Sequence, residues 1–563
     1  MSPEGCPGRF QSDRRDPEES TWPWSLCFSE TAPNIKEVCK GMAYYTVCPQ
    51  RNRRGWRLVQ RVVLATGMVL AATAQQPRRS PDIPKTWDKA ALKDWATPLA
   101  GLNIRPTHIS PKEYYSLRVE NRRTYPVYYP GREPEDYWEM LQHVGPKPLI
   151  EPDKLKTRAD WIEAGSRVFI EFDDLHLRTF DAKIIAAARA REIFEQMNAQ
   201  PLPDGTVYGL RWVPTKEGVA LSIQNCSGCH LLYFSDDTPV PGAPSLAGIA
   251  RGRRVPLVGA ILEANRAVTG AAPFLMGPES LGARLYQAYG MPWKKDDINE
   301  RLKTFTPAQL RPYLAAASLG GAINRWNGSI FYPSKVPDLI GIKDRKYIDS
   351  TATHLHRGIG DLMRYAALVS FAEAADFGPY AMLQPNTKRA QARLPDEALY
   401  ALALYIYSLQ PPVNPNPLND NARAGEKLFR REGCAGCHVP PLYTSNKLTL
   451  AQGFTPPKDK PATLDVLPIS VGTDPGLALN TRKGTGYYKV PSLKGVWYRD
   501  HYLHDGSVAS LEEMFDPDRL KDTHAPGGFT PPDKPQRAIK GHEFGLKLSP
   551  EERKQLIAFL RTL

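Results

Sequence analysis

Cysteine is scarce in this chain and confined to a few places. The 563 residues hold eight cysteines. Cys6, Cys27, Cys39 and Cys48 lie in the first fifty residues. The others, Cys226, Cys229, Cys434 and Cys437, form two Cys-x-x-Cys pairs. Beyond residue 50 no cysteine is left over, which excludes a disulfide framework there. Long apolar runs are also missing. None reaches the ~18 residues that a membrane-spanning helix needs, so no membrane span is expected. The net charge is +13, but no dense basic run stands out. An acidic partner fits this charge, whereas nucleic acid is not an expected partner. Histidine is sparse as well, and none lies between His230 and His354.

Proline, by contrast, is plentiful at 53 residues, which predicts long, stiff loops. The length suits about three or four domains. Residues 51–74 read as a secretory signal peptide. Arg51 to Arg61 is basic, Val62 to Ala71 is a short apolar core, and Ala72-Thr73-Ala74 fits a small-x-small cleavage site near Gln75. Arg53-Arg54 matches part of a twin-Arg export pattern whose remainder is missing. Residues 1–50 show no clear period. They read as a non-structural extension from a start placed too far upstream, or else as a cytoplasmic extension. The expected location is the periplasm or the cell exterior.

Residues 75–184 are rich in Pro, Tyr and Trp, as in "EYYSLRVENRRTYPVYYPGREPEDYW" (113–138), and predict an irregular N-terminal wrapping segment. Residues 180–198 predict a helix leading to the first Cys pair. Pro395-Asp396-Glu397 opens a helix with Leu399, Leu402, Ile406 and Leu409 on one face. It stops at Pro411-Pro412, where 411–420 is a stiff linker. Residues 421–438 predict a helix running into the second Cys pair. Ser549-Pro550-Glu551-Glu552 is a capping box that starts a closing helix. One order thus occurs twice, over 185–410 and over 418–563. The first copy needs 164 residues from His230 to its closing helix at Leu394, and the second needs 111 from His438 to Ser549, some fifty fewer.

Each pair belongs to a full Cys-x-x-Cys-His motif: "NCSGCH" with His230, and "GCAGCH" with His438. This is the signature of c-type haem attachment. The two thiols add to the two haem vinyls, and the histidine is placed to bind iron from one face. A zinc site would need further Cys or His ligands, and neither motif has one within twenty residues. Two covalently bound haem c groups are therefore expected, held by Cys226, Cys229 and His230 and by Cys434, Cys437 and His438. Haem c is attached outside the cytoplasm, in agreement with the signal segment.

The second axial ligand of a small c-type cytochrome sits in the loop before the closing helix. In copy two His542 occupies that place, with His504, His524 and Met514 as competitors. In copy one the corresponding residue is Thr387, which cannot ligate. Met382 is the one soft ligand nearby. A first haem without a strong sixth ligand is open to oxygen or peroxide. Arg251, Arg253 and Arg254 are candidates for the propionates, and His354, His356 and Arg357 for the first haem's distal side. Glu373 and Asp376 are candidate acids near a bound peroxide.

The segment "TGYYKVPSLKGVWYRDHYLHDGSVASLEEMF" (485–515), together with two haem motifs in this order, resembles the bacterial di-haem cytochrome c peroxidases and MauG-like enzymes over about residues 200–563. Ordinary peroxidases are shorter, and many place a removable histidine soon after the first motif, which is missing here. The length and "RWNGSIFYPSKVPDLIGIKDRKYIDSTATHLHRGIGDLMRYAAL" (325–368) are more similar to the rubber-oxygenase-like branch. The resemblance implies a mainly α fold of two cytochrome-c-like haem domains with long loops and a few short strands. It implies His230 at a reactive haem, a bis-His second haem with His438 and a distal His placed at His542, and a Trp between the haems, for which Trp326 is the candidate. A calcium ion between the domains occurs in relatives, but no compact oxygen-ligand loop is visible. The expected partners are oxygen or hydrogen peroxide and an unidentified electron donor or apolar substrate. An electron carrier with both haems fully ligated is the alternative, and a haem-based sensor a third.

Overall fold

Capping chemistry marks the long helices of the computed structural model. It describes residues 81–563 except 101–105, 108–109, 174–177, 197–199, 223–225, 245–281, 283–284, 287–288, 320–321, 324–327, 370–375, 378–391 and 459. All of these belong to one unit, Arg79–Leu563. Helix α1 (Arg158–Glu171) opens on a reciprocal box between Thr157 and Asp160. Helix α4 (Asp396–Ser408) begins after Pro395 and ends before the Pro411-Pro412 stop. Asn419 caps α5 (Asp420–Arg431), and Ser549 with Glu552 boxes α6 (Pro550–Arg561). The two remaining labelled helices are α2 (Cys226–His230) and α3 (Ile359–Ala367).

These helices form two packed groups. In the first, α1, α3 and α4 share a core with Trp161, Val168, Phe169, Leu362, Leu399, Leu402 and Ile406. Burial of each large apolar side chain is worth about 1.5–3 kcal/mol. In the second, Leu428 and Phe429 of α5 meet Leu556, Ile557, Phe559 and Leu560 of α6. A glycine sits at each crossing. A Cβ on Gly165 would stand 2.0 Å from the Ala401 carbonyl, and one on Gly425 would stand 1.9 Å from that of Gln555. Neither backbone approach is possible with any larger residue.

The described residues are mixed rather than mainly α. A four-stranded antiparallel sheet runs in the order β1-β3-β4-β2. Its strands are β1 (Tyr125–Tyr128), β2 (Arg178–Thr179), β3 (Thr206–Thr215) and β4 (Gly218–Ser222). Alternation along β3 buries Leu210 and Trp212 against Val127, Leu141, Phe194 and Leu221. Gly218 has φ 126, a conformation the tight β3–β4 turn requires of glycine. The segment expected to be irregular thus supplies β1, β2 and α1. The helix expected over 180–198 is broken into Ala182–Ala187 and Arg191–Gln196, and α1 is the helix that packs on α4.

Wrapping does occur further upstream. Trp87 is fully buried and stacks on Tyr114. The Trp95 carbonyl accepts from Leu355 N at 3.1 Å, and Ala100 N donates to the Gly484 carbonyl at 2.8 Å. No helix among the described residues is long and apolar enough to cross a membrane.

Candidate functional site

The second motif follows directly from α5. Gly433 leaves the helix at φ 78, and Cys434–Gly436 forms a single 3-10 turn. The turn delivers Cys434, Cys437 and His438 to one cavity. None of Cys226, Cys229, Cys434 and Cys437 is in a disulfide. Burial pushes the Cys434 thiol up to about 11, so it stays protonated at neutral pH.

His438 is buried, and its Nδ1 lies 3.1 Å from the carbonyls of both Tyr443 and Pro491. Carbonyls only accept, so Nδ1 carries the proton and Nε2 keeps its lone pair for a metal. Pro491 belongs to "KVPSL", which assigns that stretch a physical task. His542 lines the same cavity. Its ring centroid is 6.3 Å from that of His438. Two imidazoles bound to one metal from opposite faces, with nitrogen–metal bonds of about 2.0–2.1 Å, stand roughly 6 Å apart by centroid. Nδ1 of His542 is buried with no hydrogen-bond partner among the described residues. Burial, reinforced by His438 and Arg519, pushes the His542 imidazole down to about 4. Burial likewise lowers His438. Both rings are neutral at pH 7, the form that ligates metals.

The other three candidates for the opposing ligand are placed differently. His504 lines the cavity but stacks on Tyr488 with centroids 4.3 Å apart, its Nε2 3.1 Å from the Tyr488 hydroxyl. His524 is held by Glu513 at 2.9 Å. Met514 also faces the cavity, packed with Leu511 and Phe515.

Four cations line the cavity, Lys335, Arg345, Lys489 and Arg499, against one carboxylate, Asp338. Asp338 is already engaged by the Tyr498 hydroxyl at 2.8 Å and Arg499 at 3.8 Å. Burial, aided by repulsion from Arg499, pushes Lys335 down to about 7. Burial and Arg345 do the same to Lys489. Arg345, Lys489 and Arg499 also donate to the backbone carbonyls of Ile340, Ile348 and Ser492, and the positive charge this wall carries favours an anion in the cavity. Two thiols, two facing imidazoles, an apolar wall with Phe429, Leu556 and Leu560, and a cationic wall together fit a haem with two propionates.

The first motif forms α2 directly, its turn held by a hydrogen bond from the Tyr208 hydroxyl to the Ser227 carbonyl. His230 is partly buried. A short hairpin follows it, β5 (Leu231–Tyr233) with β6 (Pro239–Pro241). Gly242 N donates to the His230 carbonyl at 2.6 Å, and Leu339 N donates to the Gly242 carbonyl at 2.9 Å. Leu339 adjoins Asp338 of the second cavity's wall, so two hydrogen bonds link the surroundings of the two motifs.

The residues expected near the first haem's distal side differ in how far their polar groups are engaged. His354 Nδ1 lies 2.9 Å from Asp349, an arrangement in which Nε2 keeps its lone pair. His356 bonds the Arg345 carbonyl at 2.8 Å and the Tyr407 hydroxyl at 2.6 Å. Arg357 pairs with Asp361 and reaches the Ala91 and Lys93 carbonyls. Asp376 pairs with Thr107 in a two-residue strand contact. Trp326, Met382, Glu373, Arg251, Arg253 and Arg254 lie outside the described residues, as does segment 51–74.

No protein-family model and no curated protein matches the chain. Several solved structures are similar in part, two of them as follows. One is a hydrazine synthase of Kuenenia stuttgartiensis, pressurised with xenon. It is 13% identical, with a TM-score of 0.26, over 52% of this chain and 90% of that one. The other is a MauG-like protein associated with microbial copper homeostasis. It is 19% identical, with a TM-score of 0.19, over 30% of this chain and 56% of that one. At such TM-scores neither likeness bears on what this chain does.

The cationic wall is what the sequence reading missed. Lys489 and Arg499 flank "VPSLKGVWY" and sit close to the motif that drew attention. Lys335 and Arg345 come from a segment about a hundred residues away, with no local periodicity to flag them. Arg519 also escaped notice, because nothing in its neighbours marks an arginine as buried.

Proposed function

We propose that the chain is an exported oxidoreductase with two covalently bound haem c groups, binding oxygen or peroxide at the N-terminal haem and transferring electrons through the C-terminal one. The His438–His542 pair across a cavity that also holds Cys434 and Cys437 carries this reading. A haem bound there supplies one-electron chemistry at iron. Cys434 and Cys437 tether its vinyl edge. His438 and His542 would both hold its iron, leaving no place there for a small ligand. The Tyr443 and Pro491 carbonyls orient His438 and hold its Nδ1 proton. Lys335, Arg345, Lys489 and Arg499 receive the propionates.

At the first motif Cys226 and Cys229 are the tethers and His230 the proximal ligand. The first two histidines downstream, His354 and His356, are tied to Asp349 and to Arg345 with Tyr407. His356 is thereby engaged at both ring nitrogens; the open sixth position at this haem rests on the lack of a strong ligand in the loop before its closing helix, and Trp326 is assigned the place between the haems. The domain division at 411–420 and export through segment 51–74 belong to the same reading.

The test is spectroscopy of the purified holoprotein. Two haems per chain are expected, with a low-spin signal from one and binding of one carbon monoxide per chain after reduction. Binding of none would replace the enzyme reading by that of a fully ligated electron carrier. A stable oxygen complex that attacks an apolar substrate such as polyisoprene latex marks an oxygenase. Consumption of hydrogen peroxide with an electron donor marks a peroxidase.

A further inference from the structure

Arg519 is fully buried, yet its guanidinium makes no ion pair among the described residues; Glu543, Glu513 and Asp516 act on it only through space. Removing a cation from water without a paired anion is costly. The donors go instead to backbone carbonyls. Nε donates to Met514 at 3.0 Å and one terminal nitrogen to Ile539. The other donates to Gly541 at 3.0 Å and to His542 at 2.9 Å. Three of these four acceptors lie in the loop that carries His542.

The same loop is held from its far side. His542 N donates to the Val471 carbonyl at 2.6 Å. Gly541 lies so close that a Cβ on it would stand 2.1 Å from the Gly472 carbonyl carbon. His542 itself has φ 50, a left-handed conformation that is strained for a residue with a side chain. Such a conformation persists only where its surroundings over-determine it. Here they do so at both the amide and the carbonyl of His542. Only arginine has a planar fork able to reach several carbonyls at once; lysine has a single point charge on a flexible stem.

We infer that Arg519 is a positioning residue for His542, locking the loop so that the imidazole stays opposite His438 and the second haem stays closed to small ligands. The inference rests on the proposed ligation by His542. Its test uses the full-length holoprotein as Arg519→Gln, Arg519→Lys and His542→Ala, read by the low-spin signal and by the carbon monoxide bound per chain after reduction. His542→Ala is expected to open the second haem and add a further equivalent of carbon monoxide. Arg519→Gln is expected to do so in part, with a mixed-spin spectrum, and Arg519→Lys to fall between Gln and wild type.

A denaturation midpoint that falls in Arg519→Gln while the spectrum and carbon monoxide count stay at wild-type values would reduce Arg519 to a packing role. If Arg519→Gln does not accumulate, Arg519→Lys decides by the same two readouts, and wild-type values again overturn the inference. An unchanged spectrum in His542→Ala overturns the ligation by His542, and the positioning role with it. A changed His542→Ala beside an unchanged Arg519 variant overturns the positioning role alone.

Discussion

A neutral imidazole in a buried site has given up its charged state, and His542 shows the consequence most plainly. Its folded pKa is pushed down to about 4, by burial first and then by His438 and Arg519, whereas an unperturbed histidine titrates near 6.5. Between these values the unfolded chain binds a proton that the folded chain refuses. Stability is therefore complete above about pH 6.5 and is lost as pH falls toward 4, by a few kcal/mol for this residue. The proposed ligation to iron would act with the same sign, since a proton competes for the nitrogen. Urea midpoints measured from pH 7.5 to 4.5 should fall, and His542→Gln should flatten the profile. An equally steep profile in that variant would assign the acid sensitivity to other groups. His542 was legible in the sequence from its place before the capping box. Its partner ring was legible from the motif. The left-handed backbone and the carbonyl clamp of Arg519 were not, because both arise from contacts with residues 471–473 and 514–519.

Helix α5 was readable from its caps and its run into the Cys pair, but its crossing with α6 is decided by one missing side chain. Gly425→Ala would gain about 1 kcal/mol of intrinsic helix propensity. It would also force a methyl group to within 1.9 Å of the Gln555 carbonyl, and overpacking of this kind costs about 1–3 kcal/mol. A net fall in stability is expected, measured as a lower denaturant midpoint with unchanged slope. A higher midpoint would mean that the crossing tolerates separation. Gly165 occupies the equivalent place between α1 and α4, so the two halves share a packing device. The sequence reading placed a helix over 180–198, leading to the motif. The helix that packs on α4, α1, lies further back in the chain, with β2, β3 and β4 between it and the motif, and it touches α2 only after folding. Its capping box, Thr157 with Asp160, was as readable as that of α6, yet the expectation of an irregular segment hid it. The strands were harder to see. Tyr125 pairs with Trp212, and pairing over so long a loop leaves no mark in local periodicity.

At the scale of the whole molecule, the second cavity does not belong to one half of the chain. Lys335, Val336, Pro337, Asp338 and Arg345 form part of its wall, and all precede the linker at 411–420. A fragment of residues 411–563 would keep Cys434, Cys437, His438 and His542 but lose half of the cationic wall. The fragment is expected to attach haem yet show a more exposed, less stable site, seen as faster proteolysis and a lower midpoint than the same haem in the full chain. A fragment as resistant as the full protein would show that the second half is self-sufficient.

The sequence by itself determined where two thiols and a histidine stand at the spacing the proposed haem attachment needs, since that spacing is local. It also determined the ends of the long helices, because caps and prolines act on their immediate neighbours. Only the tertiary structure decided which imidazole faces His438, which cations meet in one wall, and which glycines set the helix crossings. These depend on side chains that lie far apart along the chain and become neighbours only when the backbone folds.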